Sequence, residues 1–315
     1  MNPTNKKIQK KYDTLPVFSL SFNEVLNCPL CKAKAEKRVR LPISAYRFGG
    51  YQIKLPLKGV HLVECSNCGL CYKDMVPTSA ALGCLFEDGA KAVWTDKRIA
   101  FTTEREYLAT YLKEGDGTLI DIGSSDGALL RAMDSITTIR SALDVYFDPK
   151  CQASITGEYL IGFIEDRNLI ISKKYNVATA FDVFEHFYDP DAVACNLRRL
   201  ITDGGIVFGE TGNSSTVKTP SSWWYVHLVE HHIFWNRKAL EYFCKKYDFK
   251  IDFLSLNAHK GRRYMSAPKR LLVLMLHVGR FTWLGNLAWR WKNLDAFMVG
   301  NPYHRDHMIF ALRKL

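Results

Sequence analysis

The sequence contains no uninterrupted apolar run long enough to cross a membrane, no internal repeat and no low-complexity segment. Its most apolar stretch, 271–291, is broken by His277, Arg280, Gly285 and Arg290, and charged groups inside a bilayer argue against a span there. The start, MNPTNKKIQKKYDTLP, is polar and basic with no apolar h-region, so no secretory signal is expected. A reducing, cytoplasmic setting is the resulting expectation, in which the nine cysteines stay thiols and some of them bind metal. The G-x-G-x-x-G fingerprint of dinucleotide folds is missing, as is any aromatic–basic RNA-binding signature. Acidic residues are in deficit: 43 Lys and Arg stand against 32 Asp and Glu, a net charge of +11. That balance favours anionic partners without choosing among nucleic acid, headgroups and phosphorylated substrates.

What is present sorts into stretches. Residues 1–20 read as a polar tail, 21–78 carry two cysteine pairs, and 79–116 form a helical linker containing TTEREYLATYL. From 117 to 315 short apolar strands alternate with amphipathic helices, interrupted by a basic and apolar insert at 259–304. Strands are expected at TLIDIG, IRSALDV, YLIGFI, NVATAF, GIVFGE, FKIDFLSL and HMIFALR. Helices are expected at DGALLRAMDSI, DAVACNLRRLI and RKALEYFCKKY, with Asp126, Asp189 and Asn236 as N-caps. Alternation of this kind implies an α/β fold with a mostly parallel sheet covered on both faces.

CPLC at Cys28/Cys31 and CSNC at Cys65/Cys68 form a C-x2-C…C-x2-C set. Each pair suits a tight knuckle, and four thiolates with no open position suit a structural zinc. GGYQIKLPLKGVHLVEC reads as a hairpin bringing the pairs together in a zinc-ribbon-like module. Cys71 reads as a bystander, and Cys84, Cys151, Cys195 and Cys244 as core residues.

The turn LIDIGSSDG follows a strand and opens a helix, placing it at the ligand edge of an open sheet. A diphosphate would be repelled by Asp121, whereas a cation would be attracted. S-adenosylmethionine, with a sulfonium and an ammonium, has the right charge.

From 117 to about 258, with the closing strand at 307–313, the chain resembles class I S-adenosylmethionine-dependent methyltransferases. LIDIGSSDG is similar to the family's D-x-G-x-x-x-G motif, with Ser125 in place of the commoner central glycine. ATAFDVFEHFYDP resembles A-x-D-V-x-E-H after the fourth strand, and EHHIFWNRKALEYF resembles the E-H-x-x-x-F-[ST] stretch before a late helix. The upstream cysteine pairs resemble a zinc module attached to some methyltransferases of sugar and surface-polysaccharide pathways. The resemblance implies a Rossmann-like sheet with its last strand antiparallel. It implies that Asp121 and Gly123 line the methionine part of the cofactor with Gly127 nearby, that Ser124 is also cofactor-binding, and that Asp182 lies near the methionine end. Asp144 is expected at the ribose hydroxyls, with Asp148 as its rival, and Glu165 or Asp166 at the adenine amino group.

If the acceptor is a hydroxyl, a base helps, and histidine is best matched near neutral pH. His186 is the first candidate and His231 the second, with His232 beside it and Glu185 orienting a base or binding substrate. For each histidine the alternative is a ring that only packs and hydrogen-bonds its own loop. Trp223, Trp224 and Tyr225 fit either a sugar-stacking lid or that lid's core. The stretch 269–293 fits a lid or a dimer contact, with a peripheral contact at the inner membrane face as the alternative. The expected acceptor is a small molecule or glycan, with sugar O-methylation favoured; an RNA methyltransferase and an inactive zinc-bearing binding protein are the competing readings. The acceptor atom and the oligomeric state are left open.

Overall fold

The computed structural model describes residues 17–34, 37–43, 45–48, 51–83, 101–112, 117–217, 219–258 and 306–315. Cys84, the insert with its 269–293 stretch and most of the expected tail lie outside the described residues.

The cysteine segment is a set of short strands: β1 (Val17–Phe18), β2 (Phe22–Glu24), β3 (Lys37–Arg40), β4 (Ala45–Phe48), β5 (Tyr51–Lys54), β6 (His61–Glu64), β7 (Cys71–Lys73) and β8 (Met75–Pro77). The expected hairpin over 49–65 is not what forms. β5 pairs with β4 and β1, whereas β6 pairs with β3 and β7, so the two halves of that stretch belong to different sheets. The turn at Pro56–Gly59, with Gly59 at φ 75°, redirects the chain between them.

Helix α1 (Thr102–Leu112) leads into the main sheet, built of β9 (Thr118–Ile122), β10 (Ile139–Asp144), β11 (Tyr159–Ile161), β12 (Tyr175–Phe181), β13 (Ile201–Gly212), β15 (Phe249–Ala258) and β16 (His307–Lys314). Their order is β11-β10-β9-β12-β13-β16-β15, so all seven expected strands fall in one sheet. The first five pair in parallel, and β16 runs antiparallel between β13 and β15. This is the expected Rossmann-like methyltransferase arrangement. Leu119, Ile120, Val177, Ala178, Val207 and Phe208 are buried on both faces, which is why these strands read as continuous apolar runs.

Helices α2 (Ala128–Ala132), α3 (Pro149–Gln152), α4 (Pro190–Leu200) and α5 (Arg237–Lys246) alternate with the strands. Asp189 caps α4 through Asp191 and Ala192 N–H, and Asn236 caps α5 through Ala239 N–H. Asp126 is displaced by one position. Gly127 is the cap residue of α2, and Asp126 accepts from Ala128 N–H at 3.0 Å from just outside the helix. Cys151 and Cys244 are buried as expected, but Cys195 is exposed, on the solvent side of α4. Val193, Ala194 and Leu197 take the inward positions there.

Two-residue strand β14 (Ile233–Phe234), from the loop before α5, pairs antiparallel with β7. It therefore adds a strand to the cysteine segment's sheet. Cys28, Leu30 and Tyr72 share one apolar cluster with Trp235, Leu240 and Phe243. Among the described residues no helix is long and apolar enough to cross a membrane.

Candidate cofactor and acceptor site

The order of the sheet reverses between β9 and β12, and their carboxyl ends bracket the turn after β9. Gly123 has φ 72°, and a Cβ there would lie 2.7 Å from Val183 Cγ2, so no side chain fits. Ser125 also takes a left-handed conformation, φ 48°, which accounts for glycine being common at this motif position. Its N–H donates to Asp144 Oδ2 at 2.7 Å, tying the turn to the end of β10. Ser124 is buried and accepts from the Cys151 thiol at 3.3 Å. A Cβ on Gly127 would come within 2.9 Å of Cys151 Cα, so α2 packs tightly on α3.

Asp121 is buried and accepts one bond from the Thr179 hydroxyl at 2.6 Å. Burial pushes its pKa up to about 7, opposed by the Thr179 bond and reinforced by Asp144. Asp144 is also buried. Burial raises it to about 6 although Ser125, Tyr146 and Val145 N–H groups favour its charge. Asp148 caps α3, accepting from Lys150 N–H at 2.7 Å, which gives it a local structural task. Glu165 Oε2 accepts from Tyr188 and Asp189 N–H at 2.8 and 3.1 Å, pinning the loop after β11 to the loop after β12. Asp166 is exposed and accepts from Asn168 N–H. Asp182, at φ 54°, follows β12 and donates its N–H to Glu210 O at 3.0 Å.

Beside this turn, His186 sits in a short 3-10 turn after β12, and His231 on the loop before β14. Their rings meet edge to face at 4.9 Å. His186 Nδ1 lies 2.7 Å from the Glu230 carbonyl, and His231 Nδ1 lies 3.1 Å from the Tyr225 carbonyl. A carbonyl only accepts, so each Nδ1 donates to it, and His231 Nε2 faces Glu185 Oε1 at 3.9 Å. Glu185 lies between them, wholly buried. Thr211 Oγ1 donates to its Oε2 at 2.7 Å and the Tyr225 hydroxyl donates to its Oε1. One ligand atom each from Glu185, His186 and His231 would fit within 4.8 Å, but both Glu185 oxygens already accept from hydroxyls. His232 is buried away from the pair with its ring against Tyr188 at 4.1 Å.

The aromatic trio divides. Trp223 and Tyr225 are buried and stacked at 4.7 Å, and Trp224 is exposed. Both indole N–H groups donate to Asp306. Asp306 also accepts from His307 Nδ1 at 2.9 Å, and His307 Nε2 lies 4.0 Å from Asp182. Burial opposes charge on His307, but the Asp306 bond and the Glu210 and Asp182 carboxylates outweigh it and raise its pKa. The sequence reasoning missed Asp306 and His307, and also Thr179 and Thr211. For His307 a signal existed: an antiparallel last strand begins at the edge where parallel strands end. The threonines sit inside strands without a motif.

The four paired cysteines come together as expected. Cys28 and Cys68 sulfurs are 3.5 Å apart, Cys31 and Cys65 sulfurs 3.4 Å, and all four lie within 4.8 Å of one another. Zinc–sulfur bonds of about 2.3 Å in a tetrahedron require sulfurs about 3.8 Å apart, so the set fits zinc with little movement. The hydrogen bond from Cys68 holds Cys28 down at about 5, toward the thiolate a metal needs. Cys71 stays outside the four, buried by apolar neighbours.

The methyltransferase domain family matches residues 94–253, half of the chain, and the chain belongs to that family. A curated relative, the ubiquinone biosynthesis O-methyltransferase of Salmonella enteritidis PT4, is 28% identical over 115 residues, covering 33% of this chain and 48% of its own length. The chain thus spans about half the length of the curated relatives it matches. Among solved structures, an S-adenosylmethionine-dependent methyltransferase from Clostridium acetobutylicum is 9% identical with TM-score 0.45, covering 74% of this chain and 97% of its own. The N-methyltransferase NodS of Bradyrhizobium japonicum, in complex with S-adenosyl-L-homocysteine, is 11% identical with TM-score 0.42, covering 70% and 91%.

Proposed function

We propose that the protein transfers a methyl group from S-adenosylmethionine to a hydroxyl of a small-molecule or glycan acceptor, a sugar being the favoured class. The observation that carries this reading is a buried, carboxylate-lined glycine turn together with two histidines, His186 and His231, whose rings meet edge to face at 4.9 Å after the neighbouring strand. Family membership supports the reaction class, and the O-methyltransferase named among the relatives supports an oxygen acceptor.

When bound, the cofactor supplies a methyl carbon activated by the sulfonium. Asp121 offers a carboxylate at the turn, and the backbone of Gly123 and Ser124 approaches without side-chain obstruction. Asp144 is placed for ribose hydroxyls, since each of its oxygens retains acceptor capacity beyond the backbone bonds it receives. Asp182 borders the methionine end, and Glu165 or Asp166 the adenine edge. His186 Nε2 accepts the acceptor's proton, its ring aimed by the Glu230 carbonyl. His231, its Nε2 3.9 Å from Glu185 Oε1, contacts the acceptor as the second histidine. Glu185, held by Thr211 and Tyr225, fixes the floor on which both rings stand. Cys28, Cys31, Cys65 and Cys68 would hold one zinc, which cross-links the ends of the cysteine segment and takes no part in the chemistry. A cytoplasmic location fits this reading, with the 269–293 stretch as the candidate for any contact at the membrane face.

Labelled S-adenosylmethionine, incubated with nucleotide sugars, lipid-linked glycans and small phenols, tests the reading. Methyl incorporation into a hydroxyl is the expected result. Tight cofactor binding with transfer only to RNA, in a salt-dependent manner, would move the protein to the RNA class.

A further inference from the structure

Lys73, at the end of β7, has a wholly buried side chain. Burying an ammonium is costly unless the fold uses it. Its Nζ donates to the Leu228 carbonyl at 2.5 Å and lies 4.5 Å from the centre of the Tyr46 ring. Its backbone N–H donates to the His232 carbonyl at 2.9 Å. One residue of the cysteine segment therefore grips both ends of the turn 228–232. The other side of the same turn faces the acceptor corner. The Glu230 carbonyl accepts from His186 Nδ1, and His232 N–H donates to the Glu185 carbonyl at 2.8 Å. His231 itself lies within the turn.

We propose that Lys73 is a positioning residue for the His186–His231 pair, coupling the cysteine segment to the orientation of both rings through the turn 228–232. One further observation fits this role. Glu230 is 3% exposed, its Oε2 has no hydrogen-bond partner, and burial raises its pKa while the nearby Lys73 charge opposes that shift. The four bonds around the turn are reciprocal: losing the Leu228 anchor frees the stretch that carries the Glu230 carbonyl, which is what fixes the His186 tautomer. A lysine reaches that carbonyl from β7; methionine fills the same slot with no donor.

The proposal deepens the reading of His186 as proton acceptor, but its test does not depend on turnover. Protein labelled with 15N in the imidazole rings is compared by NMR with Lys73→Met and Lys73→Arg, with signals assigned by single histidine variants. In the wild-type protein His186 and His231 show one neutral tautomer each, with the proton on Nδ1. In Lys73→Met both lose this single-tautomer pattern. His227, whose Nε2 lies 3.0 Å from the Ser221 carbonyl, keeps its own. S-adenosylhomocysteine affinity stays within about twofold in that variant, while Lys73→Arg, which retains a donor, recovers the wild-type pattern at least in part. A folded Lys73→Met protein with unchanged His186 and His231 signals would overturn the proposal. If that variant does not fold, Lys73→Leu, which also lacks a donor, is judged by the same signals. A protein that transfers no methyl yet shows the coupled loss refutes the functional reading and leaves this one standing.

Discussion

Asp121, near the end of β9, and Glu185, in the 3-10 turn after the neighbouring β12, are both buried carboxylates, yet they are treated differently. Glu185 accepts from two hydroxyls, Thr211 and Tyr225, and its surroundings are complete. Asp121 accepts from one, Thr179, and burial drives its pKa to about 7. A buried acid with its partners built in is part of a scaffold; one left short of them is a candidate receptor for charge. The four cysteines extend the contrast, since their sulfurs lie within 4.8 Å of one another, close enough to hold one metal ion.

The largest effect is expected at the four cysteines, the proposed zinc ligands. Cys65→Ser with Cys68→Ser should abolish the one zinc per chain measured by metal analysis. It should also unfold the cysteine segment, because structural zinc contributes about 10–16 kcal/mol in small sites. Zinc retained at one per chain would move the ligands elsewhere. Next comes the histidine corner. His186→Ala should lower turnover by about 10²–10⁴-fold with little change in cofactor affinity, and His231→Ala should act more on the KM of the acceptor. The reverse split would exchange their roles. Smaller again is the loss of a built-in partner. Tyr225→Phe removes one donor to Glu185 and should cost about 1.5–3 kcal/mol in a denaturant titration. A negligible cost would show that the Glu185 setting is less closed than its geometry indicates.

The sheet was legible because parallel strands buried on both faces leave apolar runs, and because the turn LIDIGSSDG has glycines at two of its left-handed positions, Gly123 and Gly127. The N-caps Asp189 and Asn236 were legible for the same local reason. Pairing between distant segments was not. Nothing in GGYQIKLPLKGVHLVEC announces that its halves join different sheets, since strand propensity is silent about partners. The partners of Glu185 come from β13 and the Trp223–Tyr225 stretch, and those of His186 from a loop 44 residues away, so only the fold brings them together. Lys73, in the unremarkable run CYKDMVP, could not have been selected from sequence at all.

The claim that Asp121 awaits a positive ligand is tested most directly by cofactor affinity against pH. In the unliganded chain both Asp121 and Asp144 have raised pKa values, so their protonation favours the folded state. That share of stability is full below about pH 4 and is lost as pH rises through about 6 and about 7. A cation selects the ionised form and opposes that loss. Calorimetric titration with S-adenosylmethionine should therefore give an affinity that falls about tenfold from pH 8 to pH 6 in the wild-type protein, as a proton competes at a group titrating near 7. Asp121→Asn should bind more weakly at pH 8 and show a flatter dependence. Equal affinities for the two proteins at pH 8, or identical pH dependence in both, would contradict the assignment of the glycine turn as a site for a cationic cofactor.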